Sequence, residues 1–395
     1  MDDLPKKLRE RLSARSAKGL LRSLPGIEDL IDFSSNDYLG LSNISKIAEM
    51  AAVLLEEKGL GQGATGSRLI SGNHSLYAKL EETLATVHKS ESALVFNSGY
   101  DANIGFFSAV PQHGDVILYD EYIHASIRDG IQLAKAKSYK FSHNDAYDMQ
   151  EIVVRLRERG QMNSGTEVYV VTESVFSMDG DSPYLKVFAD NCREQGFHLV
   201  VDEAHAIGVL GNNGTGLVQK LDLETQVFAR IVTFGKAIGS HGAAVLGGKS
   251  LRDYLINFAR SFIYTTGLPP HSIAATLASY NYLVSSGREL NRLRRNIDLF
   301  NSEIERLQFN EAGNGAAQVL FLPSSSAIHS CIIPGNLKVR SIAFKIRAEG
   351  FDVRAIMAPT VPEGRERLRF CLHSFNSKEE IVRVLQLLAI FTKEV

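Results

Sequence analysis

Chemistry is concentrated in two neighbouring stretches, VVDEAHAIGVLG at residues 200–211, with Asp202 and His205, and VTFGKAIGSHGAAVLGG at residues 232–248, with Thr233 and Lys236. Each begins as a β-branched apolar run and breaks off into polar, glycine-rich sequence, as where a buried strand hands a loop to a ligand crevice at its carboxyl end. A lysine in a glycine-flanked loop, beside an acid and a histidine on another strand end, is the set that holds pyridoxal phosphate. The amine forms a Schiff base with the aldehyde, the acid pairs with the pyridinium nitrogen, and hydroxyls and backbone amides take the phosphate. A carboxylate about 4 Å from that nitrogen is worth roughly 4 kcal/mol at an effective dielectric near 20, about three pKa units. Each residue alone has a plainer reading, and Lys236 could be an ordinary solvated loop lysine.

Other strand ends offer further groups. In Asn97-Ser98-Gly99-Tyr100-Asp101 the glycine permits close backbone approach and the following helix presents free amides and its positive dipole end, either a phosphate seat or a simple turn. His124, after a strand and a short DEY turn, could stack on a flat ligand, cap a helix or pack as a core ring. Gly61, Gly63 and Gly66 spell G-x-G-x-x-G, but a helix rather than a strand precedes them, so the dinucleotide fingerprint fails. That loop is either flexible or closes over a ligand. Residues 202–205 spell Asp-Glu-Ala-His, a helicase signature, yet the phosphate-binding G-x-x-x-x-G-K-[ST] is missing upstream; the run Gly242–Ser250 is one residue too long and lies downstream. Asp202 and His205 lack the clustered partners of a metal site, and no G-x-S-x-G nucleophile elbow occurs.

The elements that must position these groups alternate. Apolar strands at SALVF, DVILYD, EVYVV, HLVVD and RIVTF are separated by helices, which predicts right-handed crossovers and a mainly parallel sheet covered on both faces. Before them come an amphipathic helix from Leu4 to Leu21, a break at Pro25 and Gly26, and a helix over 45–57; beyond residue 280, YNYLVSSGRELNRLRRNIDLFNSEIERL reads as one long helix, followed by shorter strands and a last helix whose capping box is Ser377 with Glu380. The expected organisation is an N-terminal segment over 1–44, a large α/β domain over 45–280 and a smaller α+β domain over 281–395. The 395 residues, 44% hydrophobic and 22% charged with a net charge of -2, carry neither a basic excess for nucleic acid nor a long uncharged apolar run for a membrane. The three cysteines, Cys192, Cys331 and Cys371, have no metal or disulfide spacing, and the charged N-terminus lacks a signal-peptide core, so a reducing, cytoplasmic setting is expected.

The ordered motifs FSSNDYLGL, GSRLISGNH, SGYDAN, VTESVFSMDGD, VVDEAHAIGVLG, VTFGKAIGSHGAAVLGG, FIYTTGLPP and APTVPEGRERLRF span nearly the whole chain. In them the chain resembles the α-oxoamine synthases, pyridoxal-phosphate enzymes of fold type I. The resemblance implies a seven-stranded, mainly parallel sheet and a homodimer with interfacial sites. It also implies roles: Lys236 carries the cofactor and moves the Cα proton, Asp202 pairs with the pyridine nitrogen, and His205 contacts the ring's phenolic oxygen. Gly99, Tyr100 and Thr233 bind near the phosphate, Ser177 contacts the cofactor and His124 stacks on its ring. Arg369 takes the amino-acid carboxylate, Asn36 lines the site, Thr360 lies toward the acyl substrate, Arg22 is the choice for the acyl end, and Thr265 and Thr266 reach the other subunit's site. Tyr100 stands where phenylalanine is common, Ile207 replaces a small hydroxyl residue, and the segment after Arg22 is short.

FSSNDYLGL, the length and APTVP point to the member that joins L-alanine to a pimeloyl thioester, on coenzyme A or a carrier protein, with loss of CO2 in biotin synthesis. Glycine C-acetyltransferase or a long-chain amino-ketone synthase is the alternative within the family. A catalytically silent structural subunit is the alternative outside catalysis; retention of Lys236, Asp202 and His205 argues against it.

Overall fold

In the computed structural model, which describes residues 4–22, 24, 26, 28–310 and 319–394, the apolar runs become strands and the amphipathic runs pack over them. The strands are β1 (Ile31–Asp32), β2 (Ser92–Phe96), β3 (Val116–Asp120), β4 (Lys137–Phe141), β5 (Val168–Glu173), β6 (His198–Asp202), β7 (Ala229–Thr233), β8 (Ala243–Gly247), β9 (Leu320–Phe321), β10 (Ile328–Ile332), β11 (Phe351–Asp352), β12 (Arg354–Ile356) and β13 (Arg367–Cys371).

A seven-stranded sheet has the order β2-β8-β7-β6-β5-β3-β4. Its neighbours are parallel except for the two pairings of β8, with β2 and with β7. Successive side chains of a strand face opposite ways, so one sheet feeds two cores: Val170, Val201, Val232 and Ala244 enter one cluster, Val171, Val200, Ile231 and Val245 the other. Burial on both faces explains why these strands read as continuous apolar runs.

Two strands of this sheet were not read from the sequence. β4 is KSYKF, an edge strand with a mostly exposed burial pattern, and its charges hide it. β8 is AAVLG, which lacks β-branched density and is joined to β7 by a short return instead of a helix. The long helix expected beyond residue 280 is in fact two, Pro270–Ser286 and Arg288–Arg306, because Gly287 takes the left-handed conformation (φ 57°) that ends a helix. A four-stranded antiparallel sheet of order β12-β13-β10-β9 follows. The last helix, Lys378–Phe391, has the predicted capping box of Ser377 and Glu380.

The chain divides into two units, Met1–Leu30 and Ile31–Val395. The first holds the helix Lys6–Ala17, shorter than the expected Leu4–Leu21 and without a buried residue; Pro25 lies outside the described residues. In the second unit β1 pairs with β11, Cys371 N–H donates to the Phe33 carbonyl at 2.8 Å, and Ser374 N–H donates to that of Tyr38 at 2.8 Å. The FSSNDYLGL segment is thereby fastened to β13. No described helix is long and apolar enough to cross a membrane.

The ends of β6 and β7 are joined by a fully buried ion pair. Glu203 accepts from Arg230 Nε at 2.8 Å and Nη2 at 2.5 Å, while its other oxygen accepts from Ser174 Oγ, Leu217 N and Val218 N. Arg230 also donates from Nη1 to the carbonyl of His88 and from Nη2 to that of Thr215. Breaking such a network from one side leaves a buried, uncompensated guanidinium. Glu203→Ala is expected to lower stability by about 3–5 kcal/mol in urea unfolding; a loss below about 1 kcal/mol would show that the pair is not the lock its burial implies.

Candidate active site

The helix Gly99–Ala109 starts where Ser98 Oγ accepts from Asp101 N at 3.0 Å, leaving the amides of its first turn without intrahelical partners. It can start there only because residue 99 is glycine: a Cβ would meet Thr233 Cγ2 at 2.6 Å. This helix start, the ends of β5, β6 and β7 and the FSSNDYLGL segment enclose a cavity of about 270 Å³. Asn36, Gly99, Tyr100, His124, Asp202, His205, Thr233 and Lys236 all line it. Sequence spacing alone brought these residues to strand ends; the sheet order brings them to one cavity.

Hydrogen bonds fix the orientation of the acid and the histidine. Asp202 accepts from Asn103 Nδ2 at 3.0 Å and from Ala204 N at 2.9 Å, and Asn103 also donates to Ser126 Oγ at 3.0 Å. His205 Nδ1 lies 2.7 Å from the Tyr38 hydroxyl, so Nε2 is the nitrogen left for the cavity. Burial, then the positive charge of Lys236, holds His205 well below the usual imidazole range, hence neutral. Burial also pushes the part-buried Lys236 amine down to about 8 against the opposing pull of Asp202 and Glu173. A neutral amine is therefore within reach near physiological pH.

The donor set fits pyridoxal phosphate. Thr233 Oγ1 is buried without a partner beside the first-turn amides, where a phosphate oxygen would satisfy it. Asp202 is an anchored acid for a pyridinium, and Lys236 is a desolvated amine. Arg369, on β13, donates from Nη2 to Asn36 Oδ1 at 2.6 Å while its Nε is buried with no partner, an unsatisfied donor suited to a carboxylate.

Ser177 and Thr360 are not beside Lys236. They line a second cavity of about 700 Å³, with Tyr122, Phe176 and Pro359, and His124 forms part of the wall of both cavities. His124 also caps its helix, its Nδ1 accepting from Ser126 N at 3.2 Å. Thr265 and Thr266 lie outside both linings; Asn97 Nδ2 donates to Thr265 Oγ1 at 3.1 Å and to the Thr266 carbonyl at 2.6 Å. Arg22 is exposed and belongs to the separate N-terminal unit.

Sequence reasoning missed Glu173, Tyr38, Asn103, Ser126 and His241. Glu173 ends β5 in register with Asp202, so its signal was an acid closing an apolar strand, as in VVD. Burial and the Asp202 charge push its carboxyl well up, and it accepts the His124 N–H at 2.5 Å. Asn103 and Ser126 gave no signal, being ordinary helix residues.

Behind the second cavity, His143 bridges two carboxylates: Nδ1 to Asp120 at 3.0 Å and Nε2 to Asp181 at 2.8 Å. Its ring stacks on Tyr122 with centroids 4.5 Å apart, and meets Phe176 edge-on. Burial would lower its pKa, but the bonds to both acids win and raise it to about 9.

A model of the family described as aminotransferase class I and II matches residues 28–388. The 8-amino-7-oxononanoate synthase of Emericella nidulans is 39% identical over 406 residues, 98% of this chain and 97% of its own length. The crystal structure of the enzyme of that name from Francisella tularensis is similar with a TM-score of 0.74 and 28% identity, over 92% of this chain and 98% of that one. A serine palmitoyltransferase variant from S. paucimobilis, solved with PLP and myriocin bound, aligns with a TM-score of 0.84 and 24% identity over 98% of this chain and 96% of that chain, a likeness of fold. The architecture is the fold-type-I transferase fold expected from the sequence.

The raised His143 value makes stability depend on pH. Because the folded value of about 9 exceeds the ordinary 6.5, the contribution is fully present below about pH 6.5 and is lost as pH rises through 9. Relative to His143→Gln, the native chain should lose roughly 3 kcal/mol of stability between pH 6 and pH 10. Parallel denaturation curves for the two proteins over that range would contradict the bridged imidazolium.

Proposed function

The chain belongs to the aminotransferase class I and II family, and from that premise we propose that it uses pyridoxal phosphate to condense L-alanine with a pimeloyl thioester, forming 8-amino-7-oxononanoate, CO2 and free thiol. The observation that carries this reading is the convergence of Lys236, Asp202 and His205 on one cavity that shares a wall residue, His124, with a second and larger one.

Bound in the smaller cavity, the cofactor would supply an electron-accepting ring that makes the alanine Cα acidic enough to become a nucleophile. The protein's own groups do the rest. Lys236, its amine eased toward neutrality, binds the cofactor and is the base that takes the Cα proton and later returns one. Asp202, held by Asn103 and Ala204 N, would face the ring nitrogen and pair with it. Neutral His205 presents Nε2 to the phenolic oxygen. Thr233 and the amides of Gly99 and Tyr100 hold the phosphate. Arg369, which donates to Asn36 until substrate arrives, turns its guanidinium to the alanine carboxylate, beginning from the unpartnered Nε. The acyl arm occupies the larger cavity, where Thr360 and Ser177 lie, so that its carbonyl meets the nucleophile across His124. The new β-keto acid then loses CO2.

A cavity of about 700 Å³ has room for an acyl chain much longer than acetyl. Arg22 is our proposal for the distal carboxylate of that donor. We also propose a cytoplasmic homodimer. Leu69, Ile70 and Tyr264 are 50%, 85% and 72% exposed, and their loops are joined by a Gly267 N–H bond to the Gly66 carbonyl beside the Thr265–Thr266 pair that would complete the neighbouring site. The division at residues 45–280 and 281–395 is likewise our reading, supported by one sheet running from Ser92 to Gly247 and another from Leu320 to Cys371.

Purified holoenzyme should turn over alanine with pimeloyl thioester. Lys236→Ala should lose at least about a thousandfold in kcat while keeping its circular dichroism. Turnover only with glycine and acetyl-CoA would keep the mechanism and reassign the substrates. Appreciable turnover by Lys236→Ala would remove the lysine from its role.

A further inference from the structure

Between the proposed carboxylate site and the proposed cofactor site runs an unbroken line of short hydrogen bonds. Arg369 Nη2 donates to Asn36 Oδ1 at 2.6 Å; the same oxygen lies 3.1 Å from the Tyr38 hydroxyl; and that hydroxyl lies 2.7 Å from His205 Nδ1. Tyr38 is fully buried, with its ring facing those of His205 and His373 at 6.2 and 6.4 Å between centroids. We propose that Tyr38 is a positioning residue whose hydroxyl couples the Arg369–Asn36 arm to His205, so that filling Arg369 with a carboxylate changes the hydrogen bond His205 receives. This rests on the function proposed above.

The coupling follows from counting protons. A phenol has one hydrogen, and here two acceptors compete for it. Burial pushes the phenol well above its ordinary value, so the hydrogen stays on the oxygen. His205 is neutral and carries a single ring hydrogen. If Tyr38 donates to Nδ1, that hydrogen is on Nε2 and points into the cavity as a donor. If Tyr38 donates to Asn36 instead, Nδ1 must carry the hydrogen to meet the phenol oxygen, and Nε2 becomes an acceptor. While Arg369 donates to Asn36 Oδ1, that oxygen is a weakened second acceptor and His205 receives the phenol. When a carboxylate draws Arg369 away, Asn36 Oδ1 is released and competes for the same hydrogen. The amino-acid end of the site thus sets the tautomer at the cofactor end. Lys236, Arg369 and His124 face His205, and Cys371 and Arg369 face Tyr38. Removing the hydroxyl takes one hydrogen-bond partner from Arg369, and Asn36→Ala, which keeps that hydroxyl, controls for the loss.

The test uses cofactor-loaded enzyme and propionate, a carboxylate without an amine. In the native chain propionate should move the pH midpoint of the bound cofactor's absorbance by about half a unit or more, roughly a threefold coupling. In Tyr38→Phe, propionate should bind within about threefold of native affinity, its shift should fall by at least half, and kcat with alanine should drop about tenfold with KM little changed. Asn36→Ala, which leaves the Tyr38–His205 pair in place, should lose the shift as well and serves if Tyr38→Phe folds poorly. An undiminished shift in either variant, or no shift in the native chain, overturns the coupling. A native chain that neither takes up pyridoxal phosphate nor consumes alanine would instead overturn the function on which it rests.

Discussion

The pairing of Glu203 with Arg230 is the constraint on which the rest of the molecule depends. Both charges are removed from water, and both carboxylate oxygens and all three guanidinium nitrogens are hydrogen-bonded within the protein. A hydrophobic pair could fill that volume at no greater cost. What the ion pair adds is direction: one carboxylate ties the end of β6 to β7 and at the same time caps the chain at Leu217 and Val218. Asp202, one residue before Glu203, and Thr233, three residues beyond Arg230, inherit their separation from that tie.

Around the cavity, charge is arranged by depth. Asp202 is held by an amide side chain and a backbone amide, whereas Glu173, one strand away and accepting from the His124 N–H, is driven toward its neutral form by burial and by the charge of Asp202. Burial and a neighbouring charge, against a single hydrogen bond, decide the character of Glu173. Lys236 and His205 are desolvated bases near the same acids, and both are pushed down. One anchored carboxyl, one amine with an eased proton and one neutral imidazole are what an electron-accepting cofactor requires of its surroundings.

Much of this was legible in the sequence. Strands β2, β3, β5, β6 and β7 announced themselves because burial on both faces demands unbroken apolar runs, and Asp202, His205, Thr233 and Lys236 stood out because such runs end at them. What escaped had physical reasons. β4 is an exposed edge strand coloured by lysine, and β8 is made of small residues that pack without β-branching. Gly287, a single left-handed residue, divides a helix whose periodicity runs on across it. Tyr38 and Asn103 act through partners that are 167 and 99 residues away in the chain, a relation that no local pattern encodes. Ser177 is expected with the cofactor residues, yet it lines the larger cavity beside Thr360, the residue expected toward the acyl substrate.

The strand β8 has a consequence for how Lys236 can move. In a parallel sheet the loop after a strand usually runs into a helix and can flex with it, but the chain after β7 returns at once into an antiparallel neighbour. Within that return Phe234 N–H bonds the Gly242 carbonyl, Ser240 N–H bonds that of Phe234, and Gly239 N–H bonds that of Lys236, each at 2.8 Å. The lysine is mounted like a rod in a clamp gripped on both sides. Its backbone has no stroke of its own, so every displacement between binding a partner and releasing it must be made by rotation about the bonds of the side chain. The working radius of the site is therefore the length of four methylene groups.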